Sequence, residues 1–188
     1  MNTAVLLFGD RRLPRSLRGL PVVDADSAIG KYRRLIVVGS DADLAAVLTR
    51  LLRADRLDVE VAFVSRRLAA RRARRGTARR VPLIRDETGS AIVGAAEWLP
   101  VEGEQLLHGE AIVDDTVLFN GDVDGVRIEP TAALPGLRAK VTRGRWVTGR
   151  AVQLGTTGAA VVRDGVPAAR SVRRSTFYRN PEGWLFVR

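Results

Sequence analysis

The residues of this chain best suited to chemistry lie in Gly39-Ser-Asp-Ala-Asp43, between the apolar run Leu35-Ile-Val-Val38 and an amphipathic stretch that starts at Leu44. A turn from strand to helix can hold a phosphate, because the unpaired amides of a helix start face outward. Asp41 and Asp43 add a capacity for Mg²⁺, which binds through one or two carboxylates together with substrate phosphates. Without a metal the two carboxylates oppose a triphosphate, each unit-charge pair at about 4 Å amounting to about 4 kcal/mol at an effective dielectric near 20. The same residues also read as a helix start. Ser40 with Asp43 three residues on matches a capping box whose usual glutamate is replaced by a shorter carboxylate, and both aspartates suit the helix dipole. Spacing alone favours the cap, a common device.

The other candidates are weaker. Residues 66–80 hold eight arginines in fifteen positions, which suits a solvated face or linker, or else phosphate, acidic lipid headgroups or nucleic acid. Asn120-Gly-Asp-Val-Asp-Gly125 begins like a calcium loop, but Thr131 stands where the bidentate glutamate belongs. A hairpin turn is the better reading. His108 is the only histidine, so a two-histidine zinc motif is excluded, and no serine has a nucleophile-elbow context to pair with it. It reads as a loop or strand-end residue. Trp98, Trp146 and Trp184 read as packing anchors, with Trp184 closing one end of a β-rich lobe.

These residues need elements to position them. Thr3–Phe8, Leu35–Val38 and Val59–Val64 read as buried strands, and Leu20–Val23 as a brief one. Continuous apolar character at Leu35–Val38 suits a central parallel strand covered on both sides. Asp41–Arg53 is the best helix, with Leu44, Val47, Leu48 and Leu51 on one face. This strand–helix–strand unit predicts a right-handed crossover and a parallel pair. If 66–80 is helical, Ala69, Ala70 and Ala73 form a thin apolar stripe. After Val81 turn signals recur at Glu87-Thr-Gly89, Asn120-Gly121, Asp124-Gly125, Asp164-Gly165 and Asn180-Pro-Glu-Gly183. The short β-rich runs between them suggest an antiparallel, sandwich-like lobe. The expected fold is therefore α/β: a small parallel-sheet lobe over 1–80, then a β-rich lobe over 81–188.

In order along the chain these segments resemble the diacylglycerol kinase and NAD kinase superfamily, in shortened form. Gly39-Ser-Asp-Ala-Asp43 resembles a degenerate version of its Gly-Gly-Asp-Gly-Thr motif, which also follows an apolar strand, opens a helix and binds nucleotide phosphates. Gly39 and Asp41 match, while Ser40, Ala42 and Asp43 stand in place of Gly, Gly and Thr. The helix Leu44–Leu52 and the strand Val59–Val64 fit the family pattern. The family's next loop, Pro-x-Gly-Thr-x-Asn, is replaced by residues 64–72, Val-Ser-Arg-Arg-Leu-Ala-Ala-Arg-Arg. Gly149–Leu154, Val161–Gly165 and the closing β run resemble the C-terminal β domain of bacterial lipid kinases.

The resemblance implies a ligand cleft between the lobes at the carboxyl end of the 35–38 strand, the usual place in open α/β sheets. It implies phosphoryl transfer from a nucleotide to a hydroxyl, with Asp41 positioning or acting as general base. Gly39, Ser40 and Ala42 would form the phosphate turn, and Arg66 and Arg67 would clamp phosphates. Asp43 and Asp164 would hold Mg²⁺. ATP and Mg²⁺ are the implied cofactors of an active enzyme, and none is implied otherwise. Such catalysis is mostly positioning and charge stabilisation, and a glycine turn lets amides reach phosphate oxygens without a Cβ in the way. Its loss points to weak or lost phosphotransfer, a pseudokinase that binds a nucleotide or a phosphorylated small molecule or lipid.

Composition sets the outer bounds. The chain has 188 residues, 46% of them hydrophobic, and no cysteine. That excludes disulfides, a thiol nucleophile and cysteine-ligated metal. No apolar run approaches a membrane span, and the N-terminus has no basic region or cleavage site of a signal peptide. A cytoplasmic protein is expected. The net charge is +10, unevenly placed: +10 over 1–81, −9 over 82–130 and +9 over 131–188. Arginine supplies 29 of the 31 positive charges, a bias that a GC-rich genome also produces, so high charge alone argues little for nucleic acid. Two alternatives stand beside the kinase reading: a non-catalytic scaffold for a protein or lipid partner, and a basic nucleic-acid-associated protein. An exposed strand edge in the β-rich lobe would permit a homo-oligomer.

Overall fold

The computed structural model describes residues 2–65 and 69–188. In chain order it begins with β1 (Thr3–Leu7), a 3₁₀ turn (Arg15–Leu17), α1 (Ala25–Ala28), β2 (Arg34–Val38), α2 (Asp41–Arg53), β3 (Glu60–Val64), α3 (Ala70–Arg75) and β4 (Ala78–Val81). There follow β5 (Ile84–Asp86), β6 (Ala91–Ile92), β7 (Ala96–Leu99), β8 (Leu107–Val113), β9 (Thr116–Val123) and β10 (Val126–Pro130). The chain ends with β11 (Leu137–Val141), β12 (Val147–Gly149), β13 (Ala151–Arg163), β14 (Val166–Pro167), β15 (Val172–Arg179) and β16 (Trp184–Val187). Two compact units result: Met1–Val81 with Glu182–Arg188, and Pro82–Pro181.

The first unit is a five-stranded sheet in the order β1-β2-β3-β16-β4. β1, β2, β3 and β16 are parallel, and β4 is antiparallel to β16. Every residue of β2 is buried, as the unbroken apolar run requires of a strand covered on both faces. α2 buries Leu44, Ala45, Val47, Leu48 and Leu51 along one stripe. Val5, Ile36, Val38, Ala62 and Val64 pack instead with Leu17, Ala70 and Ala73. None of the α2 side chains belongs to that cluster, so α2 lies over the other face of the sheet. Leu20–Val23, expected as a strand, contributes only an isolated bridge from Val22 to Val5.

The last strand departs from the sequence reading. Trp184–Val187, expected in the β-rich lobe, inserts between β3 and β4. Trp184 therefore does not close the β-rich unit; it lies opposite Val81 and packs on Phe186, ring centroids 4.9 Å apart. β3 and β4 leave a gap that only a strand pairing on both edges can fill, a requirement invisible in local sequence.

The second unit is antiparallel. Its eleven strands include the path β12-β11-β10-β7-β13-β15-β5-β6, with β8 and β14 also on β13 and β9 on β8. β13 organises it: residues 151–156 pair with β8 and β15, Ala159 pairs again with β15, and 160–163 pair with β7 and β14. The irregularity at Gly155–Ala159 lets one strand serve two sets of neighbours. Trp98 and Phe177 fill the core, ring centroids 5.9 Å apart. Asn120-Gly121, expected as a turn, lies inside β9 opposite Glu110 and Gly109. The hairpin reverses at Asp114-Asp115 instead, where Asp114 adopts φ 49° and its carboxylate accepts the amides of Arg150 and Ala151 at 3.0 Å. A tertiary anchor outweighs the local turn preference. Among the described residues no helix is long and apolar enough to cross a membrane.

Candidate functional site

The turn after β2 is built around one carboxylate. Ser40 is the N-cap of α2, with extended backbone (φ −91°, ψ 173°). Its Oγ accepts the Asp43 amide at 3.3 Å. Asp43 Oδ2 in return accepts the Ser40 amide at 2.7 Å and the Ser40 hydroxyl at 2.8 Å. Both halves of the capping box are present, so the shorter aspartate reaches where glutamate usually does. The helix start thus carries its own anion, which takes the Ser40 amide and hydroxyl, while the Ser40 hydroxyl oxygen takes the Asp43 amide. Among the described residues, no acceptor faces the amides of Asp41 and Ala42.

Gly39 is required by space rather than by backbone conformation. A Cβ there would stand 2.6 Å from Asp43 Oδ2 and 2.8 Å from Asp43 Cβ. Any side chain at position 43 imposes the second contact, so this glycine answers to residue 43 as well as to any ligand. Asp41 is exposed at the first helical position, where a carboxylate suits the dipole. Gly39, Ser40, Asp41, Ala42 and Asp43 are therefore brought together, as one continuous turn must bring them. Arg66 and Arg67, the expected phosphate clamps, lie outside the described residues.

Asp164 has a defined local task in the second unit. It sits in the turn between β13 and β14 with φ 49°, followed by Gly165 at φ 82°, the pair of positive angles a type I′ hairpin needs. Its Oδ1 accepts the amides of Gly94 at 2.7 Å and Ala95 at 3.0 Å, and its Oδ2 that of Val93 at 3.1 Å. Its own amide donates to Ala95 O at 2.7 Å. This carboxylate ties the loop before β7 to the hairpin. Asp86, fully buried, acts alike: its Oδ1 accepts from Thr88 N, Thr88 Oγ1 and Ser90 N at 2.6–2.9 Å. Arg163 Nε lies 2.6 Å from Asp86 Oδ2, an ion pair by distance although its angle is outside hydrogen-bond geometry. Asp86, Asp114 and Asp164 are thus all amide clamps. Two of the three stand at positive φ in tight turns, the one sequence signal that could have marked them.

Asp43 Oδ2 already takes two hydrogen bonds from Ser40, and among the described residues no three His, Cys, Asp or Glu side chains form a metal-binding group. The donor set around Asp43 is that of a cap rather than of a metal group.

His108 is the second residue of β8, at the strand end as expected. Its Nδ1 is 2.7 Å from Asp122 Oδ1 on β9, and both side chains are exposed. The sequence reading missed Arg34, which is buried. Its Nε donates to Glu60 Oε2 at 2.6 Å across the β2–β3 register, and its Nη1 donates to Arg74 O at 3.0 Å.

No protein-family model matches the sequence, and no curated protein matches it. Solved structures do. A crystal structure of an NAD kinase from Archaeoglobus fulgidus in complex with ATP superposes with TM-score 0.69 at 12% identity, covering 100% of this chain and 94% of that one. A crystal structure of a diacylglycerol kinase from Bacillus anthracis str. Sterne superposes with TM-score 0.73 at 11% identity, covering 99% of this chain and 96% of that one. At such identity the likeness speaks for architecture: an α/β unit with a parallel sheet, joined to an antiparallel β-rich unit, in the fold that NAD kinases and diacylglycerol kinases share.

Proposed function

We propose that this chain is a phosphate-ligand-binding protein of kinase fold in which transfer of a phosphoryl group to a hydroxyl is weak or lost. The observation that carries the reading is Asp43 folded over its own helix start, 2.7 Å from the Ser40 amide and 2.8 Å from the Ser40 hydroxyl. A carboxylate there competes with a phosphate for the same donors and repels it. The amides of Asp41 and Ala42 remain for a ligand oxygen. If transfer persists, exposed Asp41 orients the acceptor hydroxyl or takes its proton. Asp43 and Asp164 both hold local backbone amides, which favours capping and clamping roles for them over Mg²⁺ binding. Binding of ATP is the property of the A. fulgidus NAD kinase structure, and its extension to this chain belongs to this proposal.

The self-capped turn favours a second reading, a scaffold that keeps the fold and binds a protein or lipid partner. Thermal unfolding with ATP, ADP and NAD, each with and without Mg²⁺ and at two salt concentrations, separates the two. A specific ligand at a hundredfold its dissociation constant adds about 2.7 kcal/mol, a shift of about 5–11 °C for a chain of this size. A shift that survives salt and is lost in Asp41→Asn supports a working turn, and a phosphotransfer assay then measures what activity remains. No shift with any nucleotide favours the scaffold.

A further inference from the structure

Eight arginines of the first unit occupy one outward layer. Leu13, Leu17 and Leu20 from the segment after β1, and Ala70 and Ala73 from α3, all turn into the same apolar cluster on the sheet. Between them Arg11, Arg12, Arg15 and Arg18, and on α3 Arg71, Arg72, Arg74 and Arg75, are exposed. The two segments are tied together. Arg74 Nη1 donates to Ser16 O at 3.0 Å, and Arg11 Nη1 donates to Ser65 O at 3.2 Å. Buried Arg34 holds the end of α3 through Arg74 O. Among the described residues none of the eight lies in an ion pair, whereas Arg34, Arg50, Arg56 and Arg80 of the same unit each meet a carboxylate. A biased composition accounts for many arginines. It does not account for two distant segments whose apolar residues alternate so as to gather on one layer arginines that make no ion pair among the described residues.

We propose that this arginine layer binds the phosphate backbone of double-stranded DNA. Guanidinium groups match phosphate oxygens in bidentate geometry and keep their charge. The layer carries no aromatic side chain: residues 9–23 and 69–81 contain none. Base stacking, the usual means of gripping single strands, is therefore missing. Its leucines face inward, and in the described part of this unit one large apolar side chain, Val22 at 49%, is exposed. That is too little to insert into a bilayer interface. A repeating polyanion read by charge alone remains the best match, and no base preference is expected, since nothing here reads base edges.

The test is fluorescence anisotropy of a labelled duplex of about 20 base pairs, titrated between about 50 and 200 mM NaCl. Each neutralised phosphate contributes about −0.9 to the slope of log K against log salt. The variant R15Q/R71Q/R72Q/R75Q removes four layer charges that make no side-chain hydrogen bond among the described residues, so the slope should flatten by about 3–4. The control R145Q/R170Q/R173Q/R174Q removes four exposed arginines of the second unit at equal net charge and should leave the slope unchanged. On the unmutated protein, phenylglyoxal modification mapped by mass spectrometry should show duplex protection at Arg15, Arg71, Arg72 and Arg75 but not at Arg173 and Arg174, a readout independent of whether any variant folds. A salt-independent affinity overturns the proposal, as do equal losses in both quadruple variants or an absence of protection. Binding to phosphatidylglycerol vesicles without binding to the duplex overturns it in favour of a membrane surface.

Discussion

Gly39→Ala isolates what the candidate turn is built for. The new Cβ would stand 2.6 Å from Asp43 Oδ2 and 2.8 Å from Asp43 Cβ, both inside contact distance, so either the carboxylate leaves or the backbone moves. Losing the carboxylate half of the cap costs about 1 kcal/mol. Relieving the Cβ–Cβ contact costs about 1–3 kcal/mol, as overpacking does. Reduced freedom of the unfolded chain returns about 0.5 kcal/mol. The net loss is about 2 kcal/mol, or a drop in Tm of about 4–8 °C. Asp43→Gly removes the carboxylate and the obstructing Cβ together, and costs about 2 kcal/mol through the lost cap and a glycine in the helix. In that background the Gly39→Ala contact has no partner, so the double variant should be about as stable as Asp43→Gly alone. The coupling energy is then about 2 kcal/mol, measured by urea unfolding of the four proteins. Additive losses, or a neutral Gly39→Ala, would refute the view that Gly39 is there to admit the side chain at 43.

Asp86→Ala should destabilise the second unit by about 3–5 kcal/mol in urea unfolding, because it leaves Arg163 facing a buried void and frees the Thr88 and Ser90 donors; a loss below about 1 kcal/mol would argue against the clamp. Burial pushes Glu129 up, but hydrogen bonds from Arg138 at 2.6 Å and Arg127 at 2.8 Å outweigh it, and its carboxyl sits below the usual 4.5. Its contribution is therefore fully present above about 4.5 and is lost as pH falls through the lower folded value. The stability gap between the parent and Glu129→Gln, followed from about pH 6 down to about pH 3, should shrink; a gap that stays constant would mean the ion pairs do not set the acid response.

The elements around the candidate site were legible because their signals are local. Leu44, Val47, Leu48 and Leu51 specify the buried stripe of α2, and Ser40 and Asp43 specify its cap; the helix runs over Asp41–Arg53 as the spacing predicts. The burial of Leu35–Val38 in β2 follows from four consecutive apolar residues, whereas that of Arg34 depends on Glu60 of β3. What those residues are used for was not legible. Spacing favoured a cap for Asp43 while the family resemblance implied a metal, and the placement of Oδ2 against the Ser40 amide shows the cap. Asp164 likewise reads as a free turn carboxylate until Val93, Gly94 and Ala95, some seventy residues away, bring it three amides.

Sequence alone determined the periodic elements, the absence of thiol chemistry, and the uneven charge, because each depends on residue type and near spacing. Tertiary structure decided three things that depend on distant partners. β16 returns to the first sheet because an inner parallel sheet position needs strands on both edges, and β3 and β4 supply them. The hairpin of β8 and β9 turns at Asp114 rather than Asn120-Gly121 because the amides of Arg150 and Ala151 reward that carboxylate. The arginines of residues 11–18 and 71–75 share a layer because the leucines and alanines between them are drawn into one core, and hydrophobic burial, indifferent to sequence distance, sorts the charged side chains outward.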